Sequence, residues 1–142
     1  MSAPPDAATG GTVPEGIVNR RSPWPVDDTV RRLVAAIEGA GAKVFATIDH
    51  SGEAARAGLL LRDTKVVVFG NPVAGTPLME ATPLIALDLP LKVLVWHDDD
   101  DGVWMTSLDS SWLAERYGIA PELVKVLAAV DALVRRVLDS SN

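Results

Sequence analysis

Cysteine is absent from this chain, which removes disulfide scaffolds, thiolate zinc sites, thioredoxin-like redox chemistry and cysteine nucleophiles together. Long apolar runs are missing as well. The most hydrophobic stretch, Val66 to Val95, is broken by glycine, prolines and acids, and so falls short of the ~18 apolar residues that a membrane span requires. The first residues have neither the basic start nor the apolar centre of a signal peptide, so the expectation is a soluble cytoplasmic protein without membrane contact. Basic residues are scarce and scattered. Thirteen Lys and Arg stand against nineteen Asp and Glu, a formal net charge of -6; the resulting field repels phosphate backbones, and no nucleic-acid partner is expected.

What remains is an ordinary globular composition. At 142 residues and 48% hydrophobic, the chain can bury roughly two-thirds of the surface its unfolded form exposes, and needs no covalent staple. Residues 1–14 hold three prolines and a glycine pair among small residues and almost nothing large to bury. They read as a disordered tail, with a single domain over residues 15–140.

Within that domain the patterns alternate. Gly16 to Arg21 suits a short strand, ended by Ser22-Pro23-Trp24-Pro25, where two prolines forbid regular pairing. Val26, Val30, Leu33, Val34 and Ile37 share one helical face; Asp27 and Asp28 suit the positive end of that helix, and Gly39 and Gly41 stop it. Lys43 to His50 has the period-two alternation of a strand, and Ser51 reads as the cap of a short helix over Gly52 to Arg56. Lys65 to Phe69 is a strand too apolar to have a wet face, hence an expected central one. Pro77 to Ala81 reads as a short helix, and Ile85 to Leu87 precedes the Asp88-Leu89-Pro90 turn that it flanks with Leu91 to His97. Leu91 to His97 and Val103 to Leu108 form a hairpin across Asp98-Asp99-Asp100-Asp101-Gly102, whose four acids suggest a solvated tip. Asp109-Ser110-Ser111 caps a helix closed by Tyr117-Gly118. Pro121 opens a long final helix with Leu123, Leu127, Val130, Val134 and Val137 on one stripe. The hairpin and the lack of a strand-helix-strand rhythm predict an α+β fold with a mainly antiparallel sheet.

The segments Phe45-Ala46-Thr47-Ile48-Asp49-His50, Phe69-Gly70-Asn71-Pro72, Gly75-Thr76-Pro77-Leu78-Met79 and Leu87-Asp88-Leu89-Pro90-Leu91-Lys92, followed by the Val95-Trp96 hairpin, resemble domain of unknown function family three hundred and two. The resemblance runs from about Gly16 to about Tyr117. It implies a curved antiparallel sheet backed by helices, similar to the TATA-binding-protein-like architecture, in a family often found as homodimers and without an agreed activity. His97 departs from the acid expected there.

The candidate ligand-binding residues are Asp49, His50, Asn71, Gly75, Thr76 and Asp88, all at chain reversals. His50 with Asp88 would give an imidazole oriented by a carboxylate, an acid-base pair, if the turns meet. Asn71-Pro72 and Thr76-Pro77 each place a capping oxygen before a proline, which would leave the Gly75 amide free to face an anion. No Gly-Lys-Ser/Thr loop, dinucleotide spacing, HExxH, EF-hand spacing or Gly-x-Ser-x-Gly elbow occurs, so neither metal nor cofactor is expected. Trp24, Trp96, Trp104 and Trp112 are expected to anchor the core, each indole N–H finding a partner. The final helix is apolar beyond one stripe, through Val124, Val126, Ala128, Ala129, Ala132 and Leu138, which points to a homodimer using that helix or a sheet edge. Three functions follow: a small-molecule binding or sensing domain, a small enzyme using His50 and Asp88, or a dimerisation and interaction module.

Overall fold

The computed structural model describes residues 13–140, so residues 1–12 of the expected tail lie outside the described residues. Five strands, β1 (Ile17–Ser22), β2 (Lys43–Asp49), β3 (Thr64–Gly70), β4 (Leu91–His97) and β5 (Val103–Leu108), form one sheet in the order β1-β5-β4-β3-β2. All four pairings are antiparallel. The α+β expectation holds. Among the described residues five α-helices accompany the sheet: α1 (Val26–Gly39), α2 (His50–Arg56), α3 (Pro72–Ala81), α4 (Ser110–Tyr117) and α5 (Val124–Asp139).

Strand alternation decides which face is covered. Val67, Phe69, Val93, Val95, Val103 and Met105 all point to one side, where Val26, Leu33 and Ile37 of α1 and Val130, Leu133, Val134 and Val137 of α5 close over them. Burying one such side chain stabilises by about 1.5–3 kcal/mol, so this layer dominates the energetics. The residues between them, Val66, Val68, Leu94 and Trp96, are only half-buried. β3 is therefore paired on both sides, as its composition suggests, but one of its faces is uncovered.

A second core sits beyond the end of the sheet, where Leu78, Ile85, Leu113, Ile119 and Leu127 meet. The apolar breadth of α5 has its explanation here: Leu127, with Val124 and Val126, serves this second core, while Val130, Leu133, Val134 and Val137 serve the first.

Several local expectations need correction. Asp49, not Ser51, caps α2: its Oδ1 accepts the Gly52 amide at 2.9 Å and the Ser51 hydroxyl at 2.6 Å. The helix expected from Pro77 begins at Pro72, with Pro77 inside it. Pro83–Leu87, flanking the Asp88-Leu89-Pro90 turn, is a 3-10 turn. The hairpin tip is not solvated throughout, because Asp98 is buried at 6% exposure. Its carboxylate accepts the amides of Gly102 (2.7 Å) and Asp100 (2.8 Å) and the Trp104 indole N–H (2.8 Å). Burial pushes the Asp98 carboxyl up, but the Trp104 and backbone donors and the nearby Arg21 charge outweigh it and hold the group below the usual carboxylate range. A Cβ at Gly102 would stand 2.8 Å from Asp98 Oδ2, so the close approach admits only glycine. The tryptophan expectation holds in part: Trp104 is buried, Trp24 and Trp112 pack against the two cores, and Trp96 lies on the uncovered face, opposing Trp104 across the hairpin and donating to Thr106 Oγ1 at 2.8 Å.

Candidate functional site

Strand direction sorts the candidate residues. Asp49 pairs with Lys65 while Lys43 pairs with Gly70, so the turn after β2 and the turn after β3 emerge at opposite ends of the sheet. Phe69 pairs with Leu91, which places Asp88 at the Asn71 end. The seven residues of β2 separate the two rims by roughly 20 Å. His50 and Asp88 therefore form no acid-base pair, and the expected convergence of three turns does not occur.

Each candidate has a definite setting. Asp49 is a helix cap; the Ser51 hydroxyl and Gly52 amide, with smaller help from Lys65 and Arg56, hold its carboxyl below the usual range. His50 is the exposed first residue of α2. Asp88 accepts the Tyr117 hydroxyl and lies 3.7 Å from Arg116 Nε, which ties the 3-10 turn to α4. Asn71 caps α3, its Oδ1 accepting the Val73 amide at 3.0 Å. The Gly75 amide is not free to face an anion, since it donates to the Asn71 carbonyl at 2.8 Å. Thr76 sits within the helix, not at a second cap.

Asn71, Gly75 and Thr76 nonetheless border the same space. A groove of about 530 Å³ opens at this rim, over the seam between the two cores. Phe69 and Leu133 are its buried floor. Met79 of α3, Leu89 to Leu91 and Phe45 form the walls, and one side is a stripe of α5. That stripe is Lys125, Ala129, Ala132, Leu133 and Arg136, spaced i, i+4, i+7, i+8 and i+11, hence one helical face. The two alanines and Gly75 create the depth, for a Cβ added at Gly75 would meet only Met79, at 3.9 Å. Lys125 and Arg136 are the charged groups lining it among the described residues, and neither has a carboxylate partner there. Eleven residues of helix set them about 16 Å apart. The arrangement can bury an elongated apolar body and meet negative charge at either end.

Sequence reasoning assigns Ala129 and Ala132 of the α5 stripe to a dimer surface and passes over the cations flanking them. Small residues at helical spacing between two cations were visible as Lys125, Ala129, Ala132 and Arg136. Among the described residues no group of three or more His, Asp or Glu is placed to hold a metal ion.

Sheet order and groove together define a two-layer α+β domain with a single antiparallel sheet and one apolar groove at its rim. The profile of the family described as domain of unknown function DUF302 matches residues 18–140, and the chain belongs to that family. A crystal structure of an uncharacterised conserved DUF302 protein from Bacillus stearothermophilus superposes with a TM-score of 0.74. At 16% identity it covers 89% of this chain and 98% of that one. Curated relatives include a protein named fluoride-specific ion channel FluC 1 of Brucella suis, 39% identical over 107 residues, which are 75% of this chain and 42% of the relative. Fluoride-specific ion channel FluC 2 of Brucella melitensis matches at the same identity, with 40% of its length covered. The chain thus spans less than half of these relatives. Among its own described residues no helix is long and apolar enough to cross a membrane.

Proposed function

We propose that the protein is a non-enzymatic binding or sensing domain, homodimeric and cytoplasmic, whose rim groove takes an elongated, mostly apolar small molecule bearing an acidic group. One observation carries this reading: an open groove of about 530 Å³ whose lining charges are both cations, Lys125 and Arg136. That volume lies within the ~300–1,000 Å³ of small-molecule sites, and the mixture of apolar walls with few polar groups is the usual composition. The test is displacement of a fluorescent long-chain carboxylate from the purified full chain. Binding that is lost in Gly75→Phe, which fills the groove where Gly75 now leaves it open, supports the reading; no binding by either protein sinks it.

A second reading, an interaction module, draws support from the curated relatives. The shared segment is under half of proteins named as ion channels, and the described residues here include no membrane-length helix. On this reading the domain is an accessory that docks on or reports to a membrane protein. Retention of the chain by reconstituted channel-bearing vesicles but not by empty ones would favour it.

A further inference from the structure

The groove carries more positive charge than one acidic group can use. Lys125 and Arg136 mark its two ends on a single face of α5, and the helix between them offers only Val126, Ala129, Ala132 and Leu133 to the space. The facing walls add no charge, their polar side chains being the neutral Asn71 and Thr76. Among the described residues no Asp or Glu lines the groove, and Glu122 and Asp139, three residues outside the two cations along the chain, form an ion pair with neither. A cation at each end of an apolar trough has a definite complement.

We propose that the occupant is a double-headed acid, a long-chain α,ω-dicarboxylate whose apolar chain lies along α5 with one carboxylate at Lys125 and the other at Arg136. The proposal rests on the groove reading above and specifies its ligand. A single-headed acid satisfies one cation and brings its methyl end to the other, where it sheds water from an ammonium or guanidinium and returns no charge. A second carboxylate turns that end into another charge-assisted hydrogen bond, with bidentate geometry open to it at the Arg136 guanidinium. The charges then match two for two.

Helix geometry sets the length. The two Cα atoms stand about 16 Å apart along α5, and an extended chain advances roughly 1.2 Å per bond, so about twelve carbons carry a carboxylate to each side chain. A much shorter diacid reaches one cation only, and a much longer one must buckle or leave a head in water. The two classes of ligand also differ in how they respond to the loss of one cation. A monoacid lies in either direction, so removing the cation of its less populated orientation costs at most about half of its binding. A diacid uses both cations at once and loses a contact whichever is removed.

The test titrates the purified full chain with dodecanedioate and with its monomethyl ester, which keeps the length and removes one charge. Dodecanedioate should bind about tenfold tighter or more. Lys125 and Arg136 are exposed, so their variants keep the fold. Lys125→Gln and Arg136→Gln should each weaken dodecanedioate about tenfold, while at least one of them binds the monoester within about twofold of wild type. Lys125→Arg and Arg136→Lys, which keep the charge, should retain most of the diacid affinity. Across diacids of about eight to about eighteen carbons the affinity should peak near twelve. Equal affinity for diacid and monoester, or a rise through the whole series without a peak, overturns the double-headed ligand and leaves the groove a single-acid site. Failure of every diacid to bind, while the fluorescent long-chain carboxylate still does, has the same consequence. If that probe fails as well, the groove reading falls and this proposal with it.

Discussion

The two rims of the sheet handle polar and apolar groups in opposite ways. At the rim holding Asp49 and the β4–β5 tip, the polar side chains are consumed by neighbours: Asp49 by the Ser51 hydroxyl and Gly52 amide, Asp98 by three donors, and Lys65 by Asp27 at 2.6 Å. At the other rim, Gly75, Ala129 and Ala132 withhold side chains and a groove opens between two cores. The polar candidates Asp49 and His50 sit at the first rim, yet the proposed binding groove lies at the second. Unsatisfied space is a better guide to a site here than the presence of His and Asp, because those groups already serve the backbone.

The largest effect should come from the floor of the open rim. Phe69 is 1% exposed and belongs to the main core, so Phe69→Ala should cost about 3–5 kcal/mol in urea unfolding. A cost under 1 kcal/mol would mean the core does not extend beneath the groove. Next is the closed rim. Asp98→Ala leaves the Trp104 indole and the Gly102 and Asp100 amides without their acceptor, and buried orphans of this kind cost about 1–3 kcal/mol. pH sharpens that result. Because the Asp98 carboxyl is held below its usual range in the fold, its charged form contributes fully above the unfolded value of about 3.9. The contribution disappears as pH falls below that value, through the folded one. The gap between wild type and Asp98→Ala should be constant from pH 7 to about 4 and narrow beneath it. A gap that widens on acidification contradicts the hydrogen-bonded carboxylate.

Much of this contrast was legible in advance, and the missing part has a specific cause. The α1 stripe, the Leu91–Val103 hairpin, and the Asn71 and Asp109 caps follow from local spacing and appear as read. Pro77 misled because a proline commonly opens a helix, whereas Asn71 with Pro72 had already opened this one five residues earlier. Ile85 to Leu87 is too short for periodicity to separate strand from 3-10 turn. The convergence of His50 with Asp88 failed on topology. Successive antiparallel strands reverse at alternate ends, so the turn after β2 and the turn after β3 must face opposite ways. The groove escaped notice since its depth comes from Gly75, Ala129 and Ala132, which composition records only as small.

Gly75 separates space from conformation. It lies within α3 with open room above it and without a positive φ, so Gly75→Ala should stabilise the fold by about 0.5–1 kcal/mol through helix propensity while narrowing the groove by a single methyl. Loss of stability would show that the α3 backbone at this point is held in a way that glycine alone permits.

The smallest thermodynamic change should accompany the sharpest functional one. Lys125 and Arg136 are exposed and without carboxylate partners among the described residues, so Lys125→Gln with Arg136→Gln should leave unfolding within about 0.5 kcal/mol of wild type. Affinity for a long-chain carboxylate should nevertheless fall about tenfold, since a charge-assisted contact contributes roughly 1.5–3 kcal/mol at full strength and less at an exposed mouth. Affinity for the matching long-chain alcohol should not change. His50→Ala, at the far rim, supplies the control: it should alter neither stability nor binding of either probe. If His50→Ala weakens carboxylate binding while the double variant does not, the binding capacity belongs to the polar rim and the assignment of roles to the two ends is reversed.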